Sequence, residues 1–264
     1  MTLVVKIGGA AGNELDPTLR EVAHRGDTVL VHGGSEEIDR LGTALGRPPE
    51  YLTSPSGTVS RRSDAAHLEV LVAALAGTVQ TRLVARLLAL GGRAIGLSGV
   101  DGGLVRADRK AAVRAVVDGR VRVLHDDLSG SITAVDRSVL DLLLGAGVTP
   151  VVGPPAITPD GTVVNVDADR LAAAVAAALR AEALLLLTNV PGLLRDPKDL
   201  GSRIASVPRG EIDAVLPCAA GRMRKKVLAA REALAGGVGR VVIGPSAGPA
   251  PVAAALAGAG TEFR

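Results

Sequence analysis

The chain has one cysteine, no tryptophan, one tyrosine and one phenylalanine in 264 residues. The single thiol, Cys218, leaves no internal disulfide to form, which excludes a disulfide-stapled secreted scaffold and fits a reducing, cytoplasmic compartment. One tyrosine and one phenylalanine cannot build a stacking platform for unpaired bases, so the net charge of +3 is not read as a nucleic-acid surface. An anionic small substrate or an acidic protein partner is the simpler cause. Zinc-spaced histidine and cysteine clusters are missing, and no metal-ligating residue is assigned. No apolar run approaches the ~20 residues of a membrane span, and the first eight residues are too short and β-like for a signal peptide, so no membrane partner is expected. Neither the G-x-x-x-x-G-K-[ST] of a P-loop nor a dinucleotide-binding G-x-G-x-x-G occurs. Lysine is scarce too: Lys6, Lys110, Lys198, Lys225 and Lys226 stand against 25 arginines. A lysine kept beside a glycine-rich strand end suits a site where a compact ammonium must reach a phosphate.

What is present alternates. Apolar, strand-like runs near 2–7, 27–32, 93–98, 148–152, 183–188 and 240–243 are separated by helical patterns at 16–25, 35–46, 64–90, 133–145, 167–180 and 223–236. Asp64, Thr133 and Asp167 are placed to cap three of these helices, and Gly77 is expected to break the long one. Continuous apolar strands alternating with helices predict an α/β fold, a three-layer αβα sandwich on an open, mostly parallel central sheet. Two stretches interrupt the alternation: 50–63 reads as one projecting hairpin, and 104–132, with turns at Asp118-Gly119 and Ser129-Gly130, as further hairpin structure.

The first two strands both end in glycine pairs, Lys6-Ile7-Gly8-Gly9 and His32-Gly33-Gly34, the second running into a helix. Glycines there let backbone N–H groups approach an anion, and in an open parallel sheet both corners lie at the carboxyl ends of strands, where ligands bind. Asn165 to Asp169 leads into an alanine-rich helix, and Thr188-Asn189-Val190-Pro191-Gly192 closes a very apolar strand. Gly221-Arg222-Met223-Arg224-Lys225-Lys226 opens a helix with four cations and no acid, an arrangement that opposes the helix dipole and calls for an anion such as phosphate.

These motifs, in this order and over nearly the whole chain, resemble the amino-acid kinase family and its N-acetylglutamate kinase branch: K-I-G-G-A-A at 6–11, V-H-G-G at 31–34, R-R-S-D at 61–64, G-L-S-G-V-D-G-G-L at 96–104, N-V-D-A-D at 165–169, L-T-N-V-P-G at 187–192, G-R-M-R-K-K at 221–226 and G-T-E-F at 260–263. The resemblance implies Lys6 and Lys226 as catalytic cations held by Asp169, with Gly33, Gly34, Arg61 and Asn165 on the amino-acid substrate. Gly8, Gly9, Thr188, Asn189 and Gly192 fall on the phosphates and nucleotide, with ATP and Mg²⁺ as cofactors. It also implies a substrate lobe over 1–180, a nucleotide lobe over 181–264 and a homodimer. The longer 51–61 segment, Ser63 in place of a threonine and Arg222 in place of a glycine resemble the branch whose substrate, aminoadipate, is carried on a small acidic amino-group carrier protein. Arg62, Arg106, Arg109, Lys110, Arg114, Arg120 and Arg122 are the expected carrier-docking residues. Carrier-bound glutamate and free N-acetylglutamate remain as alternative acceptors. A non-catalytic sensor would be expected to lose Lys6, Asp169 or Lys226, and all three are present.

Overall fold

A computed structural model describes residues 2–9, 12–55, 57, 59–117 and 119–264. Ala10 and Ala11 of the first motif and Asp118 of the expected turn lie outside the described residues. The chain begins β1 (Leu3–Ile7), α1 (Asp16–Ala23), β2 (Thr28–His32), α2 (Ser35–Ala44), β3 (Tyr51–Thr53), β4 (Val59–Arg61), α3 (Ala65–Val72), α4 (Gln80–Ala89) and β5 (Ala94–Ser98). It continues with β6 (Val105–Arg109), β7 (Val113–Val117), β8 (Arg120–Leu124), β9 (Gly130–Val135), α5 (Ser138–Gly145), β10 (Thr149–Gly153), β11 (Ala156–Ile157) and β12 (Val163–Val164). The last part is α6 (Ala168–Leu179), β13 (Ala183–Thr188), β14 (Ser206–Val207), α7 (Ile212–Val215), α8 (Gly221–Ala235), β15 (Arg240–Pro245), α9 (Pro251–Leu256) and β16 (Thr261–Phe263).

Eight strands form one sheet in the order β14, β16, β15, β13, β1, β2, β10, β5. The six from β15 to β5 are parallel, and β16 runs antiparallel to β15 at the far side. The central strands are largely apolar because both faces are covered, with Lys6, Thr28, His32 and Thr188 among the buried polar exceptions. Val4, Leu184, Leu186, Val241 and Ile243 pack with α5, α6 and α8. Leu3, Val5, Ile7, Leu185, Leu187 and Val242 pack with α1, α4 and α9. This is the expected three-layer sandwich. The sheet runs unbroken through β1 and β13, so residue 180 marks no gap in it.

Three local expectations need correction. Gly77 does not break the long helix: Ala73–Val79 winds as a π-helical segment joining α3 to α4. The widened turn brings Leu75 and Val79 together over Gly34, where a Cβ would lie 2.6 Å from Leu75 and 2.9 Å from Val79. By length and composition alone this continuous 25-residue helix, Ala65–Ala89, is apolar enough to cross a membrane, a property it shares with core helices, and here it buries Leu68, Leu71, Leu75, Leu83 and Leu87 in the core. Thr133 is not a helix cap but lies in β9, where the pairing with β6 slips by one residue. The helix begins after Asp136, whose carboxylate accepts from the Ser138 N–H at 3.0 Å. Ser129-Gly130 is likewise no turn, since Ser129 bridges to Asn165 and Gly130 starts β9.

Candidate active site

Strand order reverses at β1: β2, β10 and β5 lie on one side, β13 and β15 on the other. Loops leaving the carboxyl ends of β1, β2 and β13 therefore diverge, and a crevice opens at that switch point. It is a cleft of ≈ 930 Å³ lined by Lys6, Gly8, Gly9, Gly33, Gly34, Arg61, Asn165, Asp169, Thr188, Asn189 and Lys226 among others.

Its floor is an ionic centre. Lys6, at the end of β1, places Nζ 2.7 Å from Asp169 Oδ1. Lys226, in the second turn of α8, places Nζ 3.0 Å from each Asp169 oxygen. All three side chains are buried. Asp169 sits in the first turn of α6, oriented by Asp167, whose Oδ1 caps the helix through the N–H groups of Asp169 (2.9 Å) and Arg170 (3.2 Å). Burial alone would raise the Asp169 pKa, but the two ammoniums reverse the effect and hold the carboxyl well below its usual range. Burial, then the charge on Lys6, pulls Lys226 down to about 8 against the opposing pull of Asp169. Two cations share one anion, so the centre holds a surplus of positive charge aimed at an incoming anion.

The glycine corners form the wall above it. A Cβ on Gly9 would lie 2.3 Å from both Cα and N of Gly34, so the two corners are in backbone contact and only glycine fits. Ser35 Oγ donates to the Gly9 carbonyl at 3.1 Å and fixes the approach. The start of α8 is partly neutralised from within: Lys225 lies 3.4 Å from Asp167, while Arg222 lines the cleft with no ion pair among the described residues.

Arg61 leans over the cleft from β4. It pairs with Asp39 of α2, donates to the Ser35 carbonyl (3.3 Å) and Tyr51 Oη (3.1 Å), and lies 5.1 Å from the Tyr51 ring centroid. Asn165 donates from Nδ2 to Ser63 Oγ at 2.9 Å, and the buried Ser63 is held in turn by its N–H to Asp127. Thus Ser63 holds Asn165 at the cleft wall.

Some expected site residues fall elsewhere. Gly192 does not line the cleft; its φ of +147° and its packing against Thr261 make it a structural glycine of the β13 turn. Lys110, expected on the docking surface, lines the cleft wall. Arg62 is engaged by Glu50 (2.8 Å), Asp126 (2.8 Å) and Asp64 (3.3 Å). Arg109 is spent on the Asp127 and His125 carbonyls, and Arg106 packs over Gly103. Arg114, Arg120 and Arg122 are exposed, with no ion pair among the described residues. Sequence reasoning missed Asn13, Asp39, Tyr51 and most of β9, all of which border the cleft or hold a residue that does. The one available signal was that Tyr51 is the only tyrosine.

Comparison with known proteins agrees with this geometry. The family model described as "Amino acid kinase family" matches residues 1–245. A relative from Deinococcus radiodurans, named [LysW]-aminoadipate kinase, is 49% identical over 98% of this chain and 90% of its own. One of the same name from Thermus thermophilus is 42% identical over 99% of this chain and 100% of its own. Among solved structures, N-acetylglutamate synthase from Neisseria gonorrhoeae, complexed with coenzyme A and N-acetyl-glutamate, superposes with a TM-score of 0.78 at 28% identity, covering 99% of this chain and 59% of that one.

Proposed function

Because the chain belongs to the amino acid kinase family, we propose that it transfers the γ-phosphoryl group of ATP to the side-chain carboxylate of L-2-aminoadipate held on a small acidic amino-group carrier protein, a step of lysine biosynthesis. The observation that carries this reading is the buried centre in which Lys6 and Lys226 share Asp169 beneath two glycine corners at the switch point of the sheet.

The chemistry asks little of the protein beyond placement and charge. A carboxylate has a reference pKa of about 4, so the acceptor is already ionised and needs no general base. One of its oxygens attacks the γ-phosphorus, the bond from that phosphorus to the β,γ-bridging oxygen breaks, and the electron pair leaves with ADP. Negative charge spreads over the transferred group and the bridging oxygen. Lys6 and Lys226 neutralise it from below, Asp169 keeps both ammoniums in place, and the Gly8-Gly9 corner offers backbone N–H groups to the phosphates, while the Gly33 N–H is held by the Ile7 carbonyl at 3.4 Å. Thr188, Asn189, Arg222, Arg61 and Asn165 all line the cleft, and in this reading the first three would meet the nucleotide and the last two the amino acid.

Asp169 has both oxygens committed to lysines, and no group of three acidic or imidazole side chains suited to a metal occurs among the described residues. Mg²⁺ fits this donor set only as a companion of the nucleotide, bound through phosphate oxygens and water. Bound there, it would neutralise phosphate charge.

A homodimer belongs to the same proposal. Val72, Ala73 and Ala76 of the long helix, with Val100 and Val163, line an apolar recess beside the edge strand β5, a face that a second copy would cover. The functional test is ATP turnover with carrier-bound aminoadipate, carrier-bound glutamate and free N-acetylglutamate. The reading expects the first to be the best substrate. Robust turnover of free N-acetylglutamate with none on the carrier would overturn it.

A further inference from the structure

The hairpin β7–β8 carries an apolar face that its own packing does not use. In its register Val116 pairs with Val121, and Arg114 with Val123, so these four side chains share one face. The valines are 40%, 57% and 49% exposed for Val116, Val121 and Val123. The opposite face anchors the hairpin, with Ala115 fully buried and Val113, Val117 and Leu124 half-buried. A two-stranded ribbon seldom displays three large apolar side chains to water unless something covers them.

Its position says what could reach it. β7 packs against β3, the strand whose Tyr51 holds Arg61 over the cleft, and Lys110, three residues before β7, lines the cleft wall. A protein attached to an amino acid bound at Arg61 and Asn165 therefore emerges beside this ribbon. Arg114 on the apolar face has no ion pair among the described residues, so that face offers a positive charge beside an apolar centre, while Arg120 and Arg122 belong to the opposite face with Val117 and Ala115.

We propose that the Arg114, Val116, Val121 and Val123 face of this ribbon docks the protein that carries the acceptor, through an apolar contact flanked by acidic groups on that partner. The proposal rests on the reading above that the acceptor is carried on a protein. It departs from a purely electrostatic landing surface: Arg62 and Arg109 are occupied elsewhere, and the valines supply a component that salt does not screen.

The test compares wild type, the triple substitution Val116→Thr, Val121→Thr and Val123→Thr, and Arg114→Glu, each titrated with aminoadipate-loaded carrier at about 50 mM and about 500 mM salt. Threonine keeps the branched shape and strand preference, and a thermal melt verifies the fold. The triple variant is expected to raise KM for loaded carrier about tenfold or more at both salt concentrations, with kcat, KM for ATP and native mass unchanged. Arg114→Glu is expected to raise it at low salt only. An unchanged KM in the folded triple variant overturns the docking face, and a lower native mass reassigns the face to self-association. If wild type itself fails to turn over loaded carrier, the substrate reading has failed, before any substitution is made.

Discussion

Replacing Asp169 by Asn preserves the side chain's shape and removes the charge that two buried lysines share. Lys6 and Lys226 both contact Oδ1, at 2.7 and 3.0 Å. Their ammonium nitrogens are therefore within about 6 Å of each other, where like charges at an effective dielectric of about 20 repel by roughly 3 kcal/mol. With Asp169 present, burial and that repulsion already pull Lys226 down to about 8, against the carboxylate. Without the carboxylate the opposing pull is lost, so the Lys226 pKa falls further and more of its side chain is neutral at pH 7.5. Losing one cation from the transferred phosphoryl group lowers kcat by about 10²- to 10³-fold. The assay is coupled ADP release at saturating substrates from pH 6 to pH 9, with circular dichroism to establish folding. The alkaline limb of the variant's residual activity should move to lower pH than in wild type. A folded Asp169→Asn variant with kcat within about threefold of wild type and an unmoved limb would refute the claim that the centre works by this charge arrangement.

Three further outcomes follow from the same geometry. In wild type, kcat/KM should fall as pH rises through about 8, because Lys226 loses its proton there, and kcat should fall at higher pH because bound phosphates favour the ammonium; a profile flat to pH 9.5 would count against Lys226. Gly9→Ala sets a methyl 2.3 Å from the Gly34 backbone and should lower kcat at least about 10²-fold or prevent folding, read by steady-state kinetics beside a thermal melt; near-normal activity and stability would mean that the corners are not in contact. Arg61→Lys cannot reproduce the bonds to Asp39, Ser35 and Tyr51 together, so KM for the amino-acid substrate should rise about tenfold with little change for ATP, and equal effects on both would remove Arg61 from the acceptor side.

The fold was legible where burial forced a pattern. Strands such as Ala183–Thr188 are covered on both faces and so are apolar at nearly every position, which identified β1, β2, β5, β10, β13 and β15 within one or two residues. Where that pressure is absent the reading erred. Thr133 resembles a cap in sequence, and nothing local reveals that β6 would pair with its segment. The three residues of β16 are too few to show a period. At the site, scarcity of lysine and the order of the motifs brought out Lys6, Asp169 and Lys226, which the fold brings into one contact. The Asp39 partner of Arg61 lies 22 residues away on an ordinary amphipathic helix, so only the tertiary structure could join them. The docking arginines looked alike in sequence; packing divided them into Arg62 and Arg109, which hold the chain together, and Arg114, Arg120 and Arg122, which do not.

The central claim is phosphoryl transfer from ATP to a carboxylate at the Lys6, Asp169 and Lys226 centre. Its most direct test is to incubate the enzyme with ATP and aminoadipate-loaded carrier, quench with hydroxylamine, and read the intact mass of the carrier. An acyl phosphate reacts with hydroxylamine, so the account predicts a hydroxamate on the carrier-bound aminoadipate that forms only with ATP and is lost in the folded Asp169→Asn variant. A hydroxylamine-stable phosphate on the carrier, or undiminished hydroxamate in that variant, would contradict it.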